Sequence, residues 1–184
     1  MTTTAPAEKV ADDFREAMRR LAAAVVMVTT WMDGQPWGLT VSACCSVSMT
    51  PPSLLVSVGE YTATARAIRH EHRFGVSILG QQQADVAKFG ARPREPKFVS
   101  QFCDEGTAAR GLTPVVRGAV AHVDCLGTQE MVSGDHLLFI GEVQRVVLHP
   151  DARPLIYYAS DFHRVERLMG ASEPESEGLL YPPW

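Results

Sequence analysis

The stretch from Gly38 to Ser48 carries a run of small polar side chains. Thr40, Ser42, Ser46 and Ser48 fall on even positions, with Cys44 between them. In an extended strand alternate side chains share one face, so this spacing aligns four alcohols and a thiol. The row is either a solvent-facing sheet edge or a wall of small hydroxyls. In the second reading, backbone N–H groups such as those of Val41 and Ala43 help it meet the acceptors of a flat ligand without crowding. A second group, Thr62, Thr64 and Arg66, sits where a short helix is expected to begin. The free N–H groups and dipole of a helix start favour an anion, and a Thr N-cap beside a surface Arg is the alternative. A third group is Lys88 and Phe89, followed by Arg92, Arg94, Lys97 and Phe98 on a Pro-containing loop. Such a loop either covers a ligand, with cations on phosphates and an aromatic on a ring, or stays a solvated surface. The fourth is Ser133-Gly134-Asp135-His136, a tight turn that delivers one imidazole to the start of an apolar strand. Loop residues held by rigid strands are where binding and catalysis concentrate. His136 is therefore either a structural histidine or a donor beside a ligand, and Asp135 can cap the turn. His70 and His72 lie on one side of an extended segment, but no carboxylate or cysteine stands at a diagnostic metal-ligand spacing. No metal is expected.

These groups need elements to hold them. Phe14, Met18, Leu21 and Val25 recur at helical spacing, with Asp12 or Asp13 as N-cap. The β-branched run Val25 to Trp31, then Asp33-Gly34, is a hairpin signal. Its return strand reads from Trp37 to Val47, stopped by Pro51-Pro52. A strand at Leu54 to Val58, a helix at Thr62 to His70 and a strand at Arg73 to Leu79 follow. Gln82 to Phe89 reads as a helix ended by Gly90, and residues 91–113 as irregular with a helical turn near Phe98 to Phe102. Long strands at Gly118 to Glu130 and His136 to Leu148, and a short one at Leu155 to Tyr158, complete the pattern. Many strands, few short helices and one hairpin signal predict a mainly β fold, a closed or nearly closed barrel. A dinucleotide-binding parallel sheet is excluded by the missing Gly-x-Gly-x-x-Gly and the lack of regular β–α alternation.

Composition narrows the function classes. The 184 residues suffice for one domain with a real core. A net charge of −4 without a basic run argues against nucleic-acid binding. No apolar run reaches the roughly 20 residues needed to span a bilayer, and the polar start lacks a signal-peptide core, so a cytoplasmic protein is expected. The four cysteines contain no Cys-x-x-Cys and read as small thiols in a reducing compartment. Residues 1–12 are expected as a flexible N-terminus, 13–169 as the domain, and 170–184 as a mobile tail. The tail ends in Tyr181-Pro182-Pro183-Trp184, a floppy end or an aromatic docking tip.

Taken in order, Phe14-Arg15-Glu16-Ala17-Met18, Val28-Thr29-Thr30, Asp33-Gly34, Gly38-Leu39-Thr40-Val41-Ser42, Ser46-Val47-Ser48, Pro51-Pro52, Gly134-Asp135-His136, Phe139-Ile140-Gly141-Glu142-Val143 and Leu155-Ile156-Tyr157-Tyr158 resemble the short-chain flavin reductases, the reductase partners of two-component flavin monooxygenases. The resemblance covers nearly all of residues 14–168. It implies an FMN-binding split β-barrel, homodimeric, that transfers hydride from NADH or NADPH to FMN or FAD and supplies reduced flavin to a partner monooxygenase. By the same resemblance, Thr40, Val41, Ser42, Ala43, Ser46 and Ser48 line the ring and ribityl chain. Thr62 and Thr64 hold the phosphate, and Lys88, Phe89, Phe98 and Tyr158 complete the site. His136 docks the nicotinamide. Two positions depart from the family pattern: Cys44 replaces a bulkier apolar residue, and Tyr158 to Phe162 lacks the usual Gly and basic residue. Asp161 would oppose an anionic nucleotide if it faced the site. Rival expectations are a non-catalytic flavin carrier on the same barrel, an FMN-dependent enzyme acting on an organic substrate, and a haem or metal binder.

Overall fold

The structure is a computed structural model that describes residues 5–166. The expected tail over 170–184, with its aromatic tip, lies outside the described residues. Helix α1 (Ala5–Arg19) is followed by the short strand β1 (Ala23–Ala24), β2 (Val26–Met32), β3 (Gln35–Val41), β4 (Cys44–Met49) and β5 (Pro52–Gly59). Helix α2 (Ala63–Glu71), strand β6 (Arg73–Ile78), helix α3 (Ala84–Ala91) and a 3-10 turn (Ser100–Phe102) come next. The chain closes with β7 (Ala121–Ser133), β8 (His136–Leu148), β9 (Leu155–Tyr158) and β10 (Asp161–Arg164).

Seven strands form one antiparallel sheet in the order β3-β2-β6-β7-β8-β5-β4. Its two edge strands, β3 and β4, are consecutive in the chain and joined only by Ser42-Ala43. The sheet therefore curls until its edges face each other across a seam, and the Ala43 carbonyl, accepting the Ser57 N–H at 3.0 Å, extends the β4–β5 ladder up to that join. This is a split barrel of mainly β composition. A second small sheet, β1-β9-β10, lies beside it. Asp33 (φ 50°) and Gly34 (φ 73°) make the β2–β3 turn with both central φ angles positive, as a tight right-twisted hairpin requires.

Several elements differ from the sequence reading. The return strand read from Trp37 to Val47 is two strands, broken at Ser42-Ala43, and the β4–β5 ladder shifts register between Ser46 and Ser48. The even-position row is thus interrupted twice, since a bulge reverses which face the following residues take. Thr40 and Ser48 do not share a strand. Helix α1 begins at Ala5, well before Asp12, with Pro6 in its first turn. Residues 5–12, expected to be flexible, are helical, and Val25 lies between β1 and β2. Gly90 lies inside α3 instead of ending it. Strands β1 and β10, of two and four residues, are too short for the sequence pattern to announce. No helix among the described residues is long and apolar enough to cross a membrane.

The barrel wall separates two cores. Val26 and Val28 of β2 point inward with Val56, Val58, Phe74, Val76, Leu137 and Phe139. Ala65 and Ile68 of α2 join this interior cluster. Val25 and Met27 join a second cluster with Leu79, Ala87, Val99, Cys103, Val116 and Leu155, outside the barrel and beneath α3. Both faces of β2 are buried, which explains the apolar run Val25 to Val28 at its start. The polar half of this outer layer is a closed hydrogen-bond chain. Asp124, ion-paired with Arg73, accepts the Thr113 hydroxyl at 2.8 Å. Thr113 Oγ1 therefore accepts His122 Nε2–H (3.0 Å), and His122 Nδ1 accepts the Ser77 hydroxyl (2.9 Å). Ser77 Oγ takes the Val116 N–H at 3.1 Å, tying the loop before β7 to the barrel wall.

Candidate functional site

The outer layer opens into a cavity of about 510 Å³. Three elements meet there: the end of β3 with Thr40, Val41 and Ser42; α3 and its C-cap with Lys88, Ala91 and Arg92; and the β9–β10 hairpin with Tyr157, Ser160, Asp161 and Phe162. Leu39 and Val41 pack against the barrel interior, so the period of two turns Thr40 outward, toward α3. Gly90 allows α3 to close on this strand, because a Cβ there would come within 2.3 Å of Thr40 Oγ1 and 3.0 Å of its N. Thr40 Oγ1 is sealed from water and has no hydrogen-bond partner. It is the one such buried side-chain atom among the described residues. A buried polar group left unpaired costs about 1–3 kcal/mol, and each such orphan in a folded protein calls for an explanation.

The α3 wall is cationic. Arg92 lies over the Phe89 ring at 5.5 Å and pairs with Glu95 at 3.3 Å. The nearly buried Lys97 donates to the Arg92 carbonyl, and burial lowers the Lys97 pKa from its ordinary value. The hairpin wall turns through Ala159 (φ 51°) and Ser160 (φ 65°), two residues without glycine's freedom. Left-handed backbone of this kind is costly and persists where its surroundings impose it. Here the Ala159 N–H donates to the Arg19 carbonyl at the end of α1, 2.8 Å away.

Of the residues singled out from sequence, Thr40, Val41, Ser42, Lys88 and Arg92 meet in this cavity, together with Asp161. The others lie elsewhere. Ala43 and Ser46 are exposed and Ser48 half-buried along the barrel seam. Phe89 packs edge-on against Phe102 at 5.2 Å, and Phe98 against Trp37 at 5.1 Å. Tyr158 is exposed and edge-on to His163, whereas its neighbour Tyr157 lines the cavity. Thr62 caps α2, accepting the Ala65 N–H at 3.1 Å and donating to the Gly59 carbonyl at 2.8 Å. Thr64 is buried, with its hydroxyl accepting Trp37 Nε1–H at 2.9 Å; that hydroxyl is committed to the core, not turned to an anion. His136 pairs with Gly59 across the β5–β8 ladder, and the Glu60 N–H bonds the Asp135 carbonyl at 2.9 Å. The Gly-Asp-His turn and the α2 cap are thus neighbours. Asp135 Oδ1 lies 2.7 Å from His136 Nδ1, which holds the Asp135 carboxyl below its usual range and leaves Nε2 as the other ring nitrogen. Ser160 and Phe162 were missed from sequence because the turn carrying them has no Gly or Asn signal. Asp161 was marked only as a departure.

All four cysteines are free, and burial pushes the thiols of Cys44, Cys103 and Cys125 up to about 12. No thiolate chemistry is available from these three at neutral pH. Among the described residues no group of three or more His, Cys, Asp or Glu could hold a metal ion.

The profile of the flavin reductase like domain matches residues 18–166. The chain is 33% identical over 150 residues to the reductase component of 4-nitrophenol 4-monooxygenase/4-nitrocatechol 2-monooxygenase from Rhodococcus opacus, covering 82% of this chain and 78% of that protein. It is 32% identical over 164 residues to an NADH-dependent flavin reductase of Rhodococcus sp, covering 87% and 89%. Among solved structures, the flavin reductase PheA2 in its native state superposes with a TM-score of 0.74 at 32% identity, covering 85% of this chain and 98% of that one.

Proposed function

This chain belongs to the flavin reductase-like family, and we propose that it is an NAD(P)H:flavin oxidoreductase supplying reduced FMN or FAD to a partner monooxygenase. NADH is the reductant named for a relative. The observation that carries the reading to this chain is the cavity of about 510 Å³ walled by the small alcohols Thr40, Ser42 and Ser160 and by the cations Lys88 and Arg92. These residues fit a flavin: small hydroxyls and N–H groups suit the acceptor edge of an isoalloxazine, and Lys88 and Arg92 suit a phosphate. When bound, the flavin supplies the two-electron chemistry, and the nicotinamide supplies the hydride.

The protein's own part is positioning. Thr40, Val41 and Ser42 hold the ring edge, Lys88 and Arg92 neutralise phosphate, and Phe162 and Tyr157 shield the cavity. His136, fixed by Asp135, docks the nicotinamide through Nε2. Thr62 at the α2 start presents N–H groups nearby. The catalytic domain is proposed to span 13–169 and to act in the cytoplasm as a homodimer. Exposed Phe14 and Met18 on α1 and Leu21 just after it, with Val47 and Met49 on β4, support the dimer, since apolar surface of this kind favours an interface. The test is anaerobic: protein with FMN or FAD is mixed with NADH or NADPH while the flavin absorbance is followed. Rapid bleaching is expected with at least one pair. Bleaching by dithionite but by neither nucleotide would reduce the protein to a flavin carrier. In the reductase assay, His136→Ala should raise the Michaelis constant for the nucleotide about tenfold, a loss of about 1.4 kcal/mol; an unchanged constant removes His136 from the site.

A further inference from the structure

Asp161 follows directly on the Ala159-Ser160 turn and lines the cavity. Its Oδ1 accepts the Phe162 N–H at 2.7 Å, which fixes the carboxylate on the hairpin. Among the described residues no Lys, Arg or His lies within ion-pair distance of it, and Lys88 likewise has no carboxylate partner. The same cavity therefore carries an unpaired cation on its α3 wall and an unpaired anion on its hairpin wall. The two walls read different chemistry. An ammonium attracts phosphate. A carboxylate at neutral pH accepts hydrogen bonds and donates none, so it matches the two O–H donors of a ribose diol. A phosphomonoester, with a charge near −2, is repelled by it.

We propose that Asp161 sets the specificity of this cavity, admitting a nucleotide with a free ribose diol and turning away one that presents a phosphomonoester. This rests on the nucleotide-binding function above. Two ligands bring that chemistry: a nicotinamide dinucleotide, where NADH carries the diol and NADPH the extra phosphate, and a flavin, where FAD carries the diol and FMN ends in a phosphate. Asp161→Asn separates charge from structure, because its side-chain carbonyl still accepts the Phe162 N–H while the negative charge is gone. Asp161→Arg reverses the charge.

The experiment is equilibrium titration of NADH, NADPH, FAD and FMN, each alone, into the full-length wild-type protein and both variants, by calorimetry at low and moderate salt. In the wild type the diol-bearing member of one pair should bind about tenfold tighter than its partner, a difference of about 1.4 kcal/mol. Asp161→Asn should bring that ratio near one, and Asp161→Arg should invert it. The ratio should also shrink as salt rises, because the discriminating charge is exposed. Asp161→Asn should weaken that salt dependence, which loss of a merely structural residue would leave in place. The pair whose ratio moves identifies which ligand Asp161 faces. Ratios that both variants leave at wild-type values overturn the inference and leave the function standing. Failure of the wild type to bind any of the four overturns the function and the inference together.

Discussion

The inside and the outside of the barrel wall are built from the same strands but solve different problems. Inside, Phe74, Phe139, Leu137 and Val56 are fully buried and fill the space. Even Gly141 has no room to spare, since a Cβ there would meet Phe74 Cε1 and Cys125 Cβ at 2.8 Å. A barrel packed to this density offers no ligand site. Outside, the layer beneath α3 is half apolar cluster and half hydrogen-bond chain, with a cavity at one end and an unpartnered hydroxyl in its wall. A split barrel keeps its core by placing chemistry on the outer face of its edge strand. What differs between the layers is tolerance: the interior is intolerant of lost volume, and the outer layer is sensitive to charge and hydrogen bonding.

The largest effect should therefore come from inside. Phe74→Ala leaves a cavity among Val76, Cys125 and Phe139 and should cost about 3–5 kcal/mol, read as a lower urea midpoint with an unchanged slope. A loss below about 1 kcal/mol would mean the interior is loosely packed and the contrast between the layers false. The next effect lies outside and is a matter of protons. His122 is buried as the neutral imidazole, and burial, outweighing Asp124, pushes it down to about 4 from its ordinary 6.5. Below pH 6.5 the unfolded chain takes up a proton that the folded chain refuses. Stability is therefore full above pH 6.5 and falls as pH drops toward about 4. Below that both states are charged and the loss stops. The shift corresponds to a loss on the order of 3 kcal/mol. Denaturant unfolding at a series of pH values should show this slope in the wild type and not in His122→Gln; equal slopes would remove His122 as the cause.

The same division explains what the sequence reveals. The β2–β3 hairpin, β8 and β9 are readable because local chemistry decides them: Asp33-Gly34 supplies the turn, and alternation or β-branching supplies the strands. The break at Ser42-Ala43 is not readable, since alternation runs straight through it. It exists because two sheet edges must meet there, which is a long-range fact. Gly90 looks like a helix stop in one dimension, whereas its role is close approach to Thr40. Of the residues lining the cavity, Thr40, Val41, Ser42, Lys88 and Arg92 stand out by residue type and spacing. The hairpin wall is not, because Ala159-Ser160 adopts a left-handed turn without the residues that announce one. Tyr157 and Tyr158 show the limit of such reading: a single step along β9 decides which of them reaches the cavity.

The smallest effect on stability is the sharpest test of the outer layer. Thr40→Val keeps the β-branched shape and removes the hydroxyl that has no partner. In an ordinary buried site, deleting a satisfied hydroxyl costs about 1 kcal/mol. Here the unliganded protein has no bond to lose and is relieved of a desolvated oxygen. Its stability should stay level or rise by about 1 kcal/mol, seen as a small increase in Tm. Flavin affinity should move the other way, weakening about fivefold, because the ligand loses the group that completes the pair. Opposite signs from one methyl-for-hydroxyl exchange require that the oxygen serve the ligand and not the fold. If Thr40→Val destabilises the unliganded protein and leaves flavin binding unchanged, the hydroxyl belongs to the packing beneath Gly90 and the ring edge is held elsewhere along the seam.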